Sequence, residues 1–294
     1  MRLIILSTGY RLSIKILRKL KQQRQLKKTT TKKQLTDQPK KELEDTMQFF
    51  VDLHTHTIAS DHAYSTIVEY VNQAQKCGIQ MFATTDHGPD LEDGPHKWHF
   101  NNLKVVPRIC DGIAVLRGIE ANILFDGNID VESYQYKNLD IVLAGFHPNN
   151  PPTNPENHLH LYKKVMMKGK VDILSHPGSA NYPCDYEELL VEAKERNVAI
   201  EINSSSDVNT RFGSHDNCIK IAKLAKKIGN TVSLGTDAHI SYYLGQFEPA
   251  LEICKEADIK EDQIINRSPL AVLDFLESRG HAPITEIRDF FSKN

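Results

Sequence analysis

The residues best suited to chemistry gather in one recurring place. The stretch FVDLHTHTIASDHAYST, residues 50–66, sets His54, His56 and His62 directly behind a short apolar run. Further along, His87, Glu120, His147, His176, Asp237 and His239 stand at or just past the ends of other apolar runs. Crowded imidazoles repel one another when protonated and leave desolvated nitrogens when neutral. Divalent cations remove both difficulties. Imidazole and carboxylate are donors for Zn²⁺, with Mn²⁺ and Fe²⁺ also compatible. Side-chain direction in a strand repeats every two residues, so His54 and His56 share a side and can grip one ion. Asp237 and His239 repeat that spacing. Nine donors exceed the needs of one four- or five-coordinate ion, so two ions are the minimum and three are natural. The absence of cysteine from the set suits a catalytic site better than a closed structural one.

Charge then points to a substrate. Three divalent ions against Glu120 and Asp237 leave about four positive charges, which favours a doubly charged anion such as a terminal phosphate. Metal ions also lower the pKa of bound water to around 7, giving a hydroxide nucleophile in place of serine or cysteine. The expected substrate is a small phosphorylated metabolite. Arg211 in NTRFGS and Asn203 and Ser204 in EINSSS are candidate substrate contacts, weighed against a solvated arginine and ordinary loop residues. His96, Trp98 and His99 form either part of a lid or an anchor for their own loop. Asp52 is placed either to orient His54 or to bond a strand end.

Positioning these residues requires a particular architecture. Seven apolar runs, beginning near residues 49, 79, 112, 139, 171, 197 and 231, alternate with helical patterns such as STIVEYVNQAQKCG, YEELLVEAKERN and HDNCIKIAKLAKKIGN. That alternation is the signature of a parallel sheet built from β/α units. Six of the seven runs end on a candidate donor, and in parallel β/α folds those ends share one face. Residues far apart in the chain thereby meet on one rim. The alternative, a doubly wound open sheet, usually carries a phosphate-binding glycine loop, and neither GxGxxG nor GxxxxGK[ST] occurs. Terminal segments SPLAVLDFLESRG and ITEIRDFF read as helices that cap or flank the barrel.

The 294 residues divide by composition. Residues 1–46 hold 13 Lys and Arg against 4 Asp and Glu, whereas residues 47–294 hold 23 against 34. The first segment reads as a basic extension, either disordered, targeting or a misassigned start with Met47 opening the compact chain. An acidic body disfavours nucleic acid, which needs clustered Lys and Arg. Five scattered cysteines without CxxC fit free thiols in a reducing, cytoplasmic setting. No apolar run approaches the ~18 residues of a membrane span. Homo-oligomers are common for barrels of this kind.

The motifs DLHTHT, DHAYST, TTDHGPD, RGIEANI, AGFHP, LSHPG, EINSSS and GTDAH resemble those of the PHP (polymerase and histidinol phosphatase) superfamily. DHGPDLEDGPHKWHF and FLESRGHAPITE resemble its stand-alone YcdX-type phosphatases in particular. The likeness runs from about Met47 to the last helix. It implies a distorted seven-stranded (β/α)7, TIM-like barrel with a trinuclear site, usually zinc. By that resemblance His54, His56, Glu120 and Asp237 hold the first ion, His62, His87 and His239 the second, and His147 and His176 the third. Glu120 would bridge the first and third, and Glu120, Asp237 and His239 would hold the attacking metal-bound hydroxide.

The reading that results is a metal-dependent phosphomonoesterase. A PHP-type phosphodiesterase or 3′–5′ exonuclease is the alternative with the same chemistry, disfavoured by the lack of a basic groove and of a polymerase domain. An amidohydrolase-like enzyme lacks its metal-bridging lysine here. A non-enzymatic, metal-stabilised scaffold would have no use for so complete a donor set.

Overall fold

The computed structural model describes residues 48–208 and 211–293; the expectation for residues 1–46 lies outside them. Seven parallel strands follow one another around the sheet in chain order, and each coincides with an apolar run. They are β1 (Val51–Thr55), β2 (Met81–Thr84), β4 (Ile113–Asn122), β5 (Ile141–Gly145), β6 (Ile173–Leu174), β7 (Ala199–Asn203) and β8 (Val232–Gly235). An eighth, β3 (Ile109–Cys110), pairs antiparallel with the start of β4. Its turn is the dipeptide Asp111-Gly112, both at positive φ, a hairpin signal that the seven-strand reading passed over.

The barrel closes between β8 and β1 with few backbone bonds. A single parallel bridge joins Thr55 to Ala238, and the His56 N–H donates to the Ala238 carbonyl at 2.9 Å. Side chains complete the seam. The buried Tyr70 hydroxyl reaches the carbonyls of His56 at 2.9 Å and Ala238 at 2.7 Å. Thr236 Oγ1 donates to Asp52 at 2.5 Å. The result is a nearly closed, distorted (β/α)7 barrel.

The intervening helices form where their sequences call for them. Helix Ile67–Cys77 begins with a capping box of Thr66 and Glu69, buries Tyr70, Val71 and Ala74, and stops at Gly78 with φ 82°. Asp185 caps Tyr186–Glu195, and Gly229 with φ 79° ends His215–Ile228. No helix among the described residues is long and apolar enough to cross a membrane.

Helices Pro269–Ser278 and Thr285–Ser292 close the end of the barrel opposite the candidate donors. Val272, Leu273, Leu276 and Ile287 pack with Val51, Leu53, Met81, Leu116, Ile141 and Leu143 from the first halves of the strands. Buried Asn266 ties the same end together, donating to Val51 and Leu234 carbonyls at 2.8 Å and accepting from Leu234 N at 2.7 Å. With this floor filled by apolar side chains, the open end is left for polar groups.

Candidate metal centre

The polar groups appear on the lumen side as each strand runs out of apolar residues. In β4 the alternation Ala114, Leu116, Gly118, Glu120 carries the lumen face from the floor to the rim. In β1 the alternation is broken deliberately. Val51 and Leu53 belong to the floor, so strict alternation would send Thr55 inward and His54 and His56 outward. Instead the pairing with β2 slips between Asp52 and Thr55, three steps of β1 facing two of β2, the arithmetic of a β-bulge. Beyond that bulge both histidines reach the lumen.

All nine candidates stand at this rim. His54, His56, His87, Glu120, His147, His176 and Asp237 are buried; His239 is partly exposed and His62 exposed. Donor atoms roughly 2.0–2.1 Å from a tetrahedral ion stand about 3.4 Å apart. His54 Nε2 lies 3.4 Å from Glu120 Oε2 and 3.6 Å from Asp237 Oδ1. His56 Nε2 lies 3.6 Å and 3.1 Å from the same two oxygens. His62 Nε2 stands 3.3 Å from His87 Nε2 and 2.8 Å from His239 Nε2. On the other side Glu120 Oε1 is 3.2 Å from His147 Nε2 and 2.6 Å from His176 Nε2. Glu120 therefore lies at the centre, with imidazoles around both of its oxygens. Overlapping triads of donors capable of holding an ion include His56–His87–His239 and His87–Glu120–His147.

Backbone strain marks two of these positions. His176 has φ 33° and Asp237 φ 54°, a region that non-glycine residues occupy at a cost of roughly 1–3 kcal/mol each. Gly145 makes room beside the first. A Cβ there would meet Ser175 Oγ at 2.4 Å and the His176 ring at 2.7 Å.

The surrounding electrostatics hold most of these donors, His54 excepted, in the form that binds a metal ion. Burial, joined by neighbouring imidazoles, pushes His56 well below the usual histidine range. Burial likewise lowers His87 and His176 to about 4 and His239 to about 3, so these rings keep their lone pairs at neutral pH. Burial opposes the charge on Glu120, yet His147, His54 and His176 hold it ionised, well below the usual carboxylate range. Burial also opposes a proton on His54, and the carboxylates of Glu201 and Glu120 overcome it, raising that ring to about 10. Several donors are nevertheless unsatisfied. His54 Nε2, both ring nitrogens of His56 and of His147, His87 Nδ1, Glu120 Oε2 and Asp237 Oδ1 are buried without a hydrogen bond. Buried polar atoms are seldom left so. Divalent cations fit this donor set and would satisfy it.

The candidate substrate contacts lie against Asp237. Arg211 Nη2 pairs with Asp237 Oδ2, while its Nε is buried without a partner. Asn203 Nδ2 is 3.4 Å from the same oxygen, and Ser204 Oγ is buried and unbonded. Asp52 does not touch the His54 ring. It accepts from the backbone N–H groups of His54 and Thr236 at 3.3 Å, so it bonds strand ends. His99 lies in a short helix, Trp98–Asn102, and its Nε2 stands 3.2 Å from Asp86. His96 accepts from the Trp98 N–H, and Trp98 is largely exposed.

Three supporting carboxylates escaped the sequence reading. Asp86 accepts from Thr57 N at 2.7 Å, Thr57 Oγ1 at 2.8 Å and Ser60 Oγ at 2.9 Å, shaping the loop that carries His62. Asp93 Oδ2 is 2.5 Å from His62 Nδ1. Glu201 Oε1 is 2.7 Å from His54 Nδ1. The available signal was a charge inside an otherwise apolar strand, AIEIN, resembling the setting of Glu120 in GIEAN.

The chain is similar to known proteins in both sequence and fold. The PHP domain family model matches residues 52–258. A probable phosphatase of Shewanella sp. (strain MR-4) is 49% identical over 248 residues, spanning 84% of this chain and 98% of the relative. The probable phosphatase YcdX of Escherichia coli O81 (strain ED1a) is 46% identical over 245 residues, spanning 81% and 98%. Among solved structures, a histidinol phosphate phosphatase of Lactococcus lactis, complexed with zinc, L-histidinol and phosphate, shares the fold. Its TM-score is 0.54 at 18% identity, over 72% of this chain and 95% of that one.

Proposed function

This chain belongs to the PHP domain family, and we propose that it is a phosphomonoesterase working through three divalent ions, most naturally zinc. The observation that carries this reading is the central position of Glu120, whose two oxygens each face histidines at ligand spacing. In this reading His54, His56, Glu120 and Asp237 hold one ion and His62, His87 and His239 a second. His147 and His176, together with Glu120, would hold a third. Ions bound there would supply hydroxide at neutral pH and positive charge for the phosphoryl oxygens. Glu120, Asp237 and His239 are the residues that would hold the ions doing so.

The chain's own groups then define the rest. Three divalent charges against Glu120 and Asp237 leave roughly four positive charges, and Arg211 offsets buried Glu201. A phosphate monoester dianion suits that balance better than a singly charged diester. Arg211, fixed by Asp237, is assigned to hold the phosphate with an N–H not used in that pair, and Asn203 and Ser204 to line the same side of the cup. The Ser204 hydroxyl and Arg211 Nε, both buried without a partner, are the unpaired donors on that side.

The test is phosphate release from a panel of small phosphomonoesters, run beside a phosphodiester and single-stranded DNA, with metal-loaded and chelator-stripped protein. Metal-dependent release confined to monoesters is expected. Faster turnover of the diester or DNA, or activity indifferent to chelation, would overturn the assignment.

A further inference from the structure

β7 contributes none of the nine donors, yet it places a buried carboxylate beneath them. We infer that Glu201 is a positioning residue of this centre, fixing the His54 ring so that Nε2 faces the ion position. The inference rests on the metal centre proposed above. Both oxygens of Glu201 are already engaged. Oε1 is 2.7 Å from His54 Nδ1, while Oε2 accepts from the His176 backbone N–H at 2.7 Å and from Asn203 Nδ2 at 3.0 Å. A carboxylate only accepts, so His54 Nδ1 must carry the hydrogen. In the neutral ring that an ion requires, the lone pair is then on Nε2, which points between Glu120 Oε2 and Asp237 Oδ1. Carboxylate–histidine–metal arrangements fix the tautomer and orientation of a ligating ring in this way.

The same carboxylate holds a second donor in place. His176 sits at φ 33°, and its N–H is the group Glu201 Oε2 receives. Glu201 thus links β1, β6 and β7 beneath the centre. Its seat exists because Gly235 on the neighbouring β8, which pairs with Asn203, has no side chain. A Cβ at Gly235 would stand 1.9 Å from Glu201 Oε1 and 2.9 Å from the His54 Cβ. The glycine of GTDAH is therefore required by a carboxylate on the neighbouring strand.

Two substitutions test the arrangement from opposite sides. In Glu201→Gln the amide nitrogen must face either His54 Nδ1 or the His176 N–H, placing donor against donor. In Gly235→Ala the new methyl displaces the Glu201 carboxylate. Zinc affinity of stripped protein, measured by competition with a chromogenic chelator, should fall about 10–100-fold for one ion per chain in each variant. In zinc-loaded wild type, nitrogen NMR should show His54 protonated on Nδ1. Wild-type affinity in Glu201→Gln, or a His54 ring protonated on Nε2, would overturn the inference. If the variants fail to fold, the wild-type spectrum decides alone. A wild-type protein that binds no zinc would instead refute the metal centre itself, a distinguishable result.

Discussion

Stripping the ions should cost this protein much of its thermal stability, by an amount that can be worked out. Of the nine rim residues, six present buried nitrogen or oxygen atoms that make no hydrogen bond. A buried unsatisfied polar atom costs roughly 1–3 kcal/mol, and bound ions would relieve several at once. Binding to the folded state alone adds stability by mass action, about 2.7 kcal/mol per ion when the free ion is 100-fold above its dissociation constant. The three ions proposed would then contribute about 8 kcal/mol. For a domain of this size 1 kcal/mol moves the melting midpoint by ~2–4 °C, so zinc should raise it by about 15–30 °C. The assay is calorimetry of chelator-stripped protein with and without added zinc. Glu120→Gln, which takes a donor from two of the three proposed ion positions, should reduce the rise to about a third. An unchanged midpoint on zinc addition would refute the reasoning. So would an equal rise in Glu120→Gln, because the zinc would then be bound elsewhere.

Other outcomes follow from the same geometry. Glu120→Gln should lower phosphate release about 10²–10³-fold or more, because charge stabilisation of the reacting phosphoryl group depends on the ions it places; steady-state kinetics at saturating zinc check this. Leu273→Ala removes a side chain wholly buried in the barrel floor and should destabilise by about 2–5 kcal/mol in urea unfolding, with kcat unchanged below the transition. His281 Nε2 stands 2.9 Å from buried Asp172. Burial opposes the His281 proton but the Asp172 bond and charge prevail, so its pKa is raised in the folded state. That contribution is fully present below the ordinary histidine pKa of about 6.5 and is lost as pH rises through the raised value. The stability gap between wild type and His281→Gln should therefore be wider at pH 6 than at pH 9, and an equal gap would contradict the pairing.

Strand count and donor types were legible because both are local properties. An apolar run followed by His, Glu or Asp is visible in a dozen residues, and the shared rim follows from parallel β/α topology. The short β3 was also within reach, since Asp111-Gly112 is a hairpin dipeptide, although a two-residue strand leaves no apolar run of its own. Glu201 was harder. A lone charge in an apolar strand says that a partner exists, but naming His54, 147 positions away, requires the fold. Asp52 shows the converse, since its nearness in sequence to His54 left the ring and a strand-end bond equally open, and the seam gave its carboxylate to the backbone of His54 and to Thr236.

The amino-acid sequence by itself determined the seven β/α units, the identities of the nine candidate donors and the end of the sheet on which they stand. Periodicity and side-chain chemistry carry that much. Only the tertiary structure decided which way those donors face. The i, i+2 spacing puts His54 and His56 on one side of β1, but a bulge opposite β2 makes that side the lumen. A strand's side-chain direction is absolute only relative to its neighbours' register, and register is set by pairings across the whole sheet.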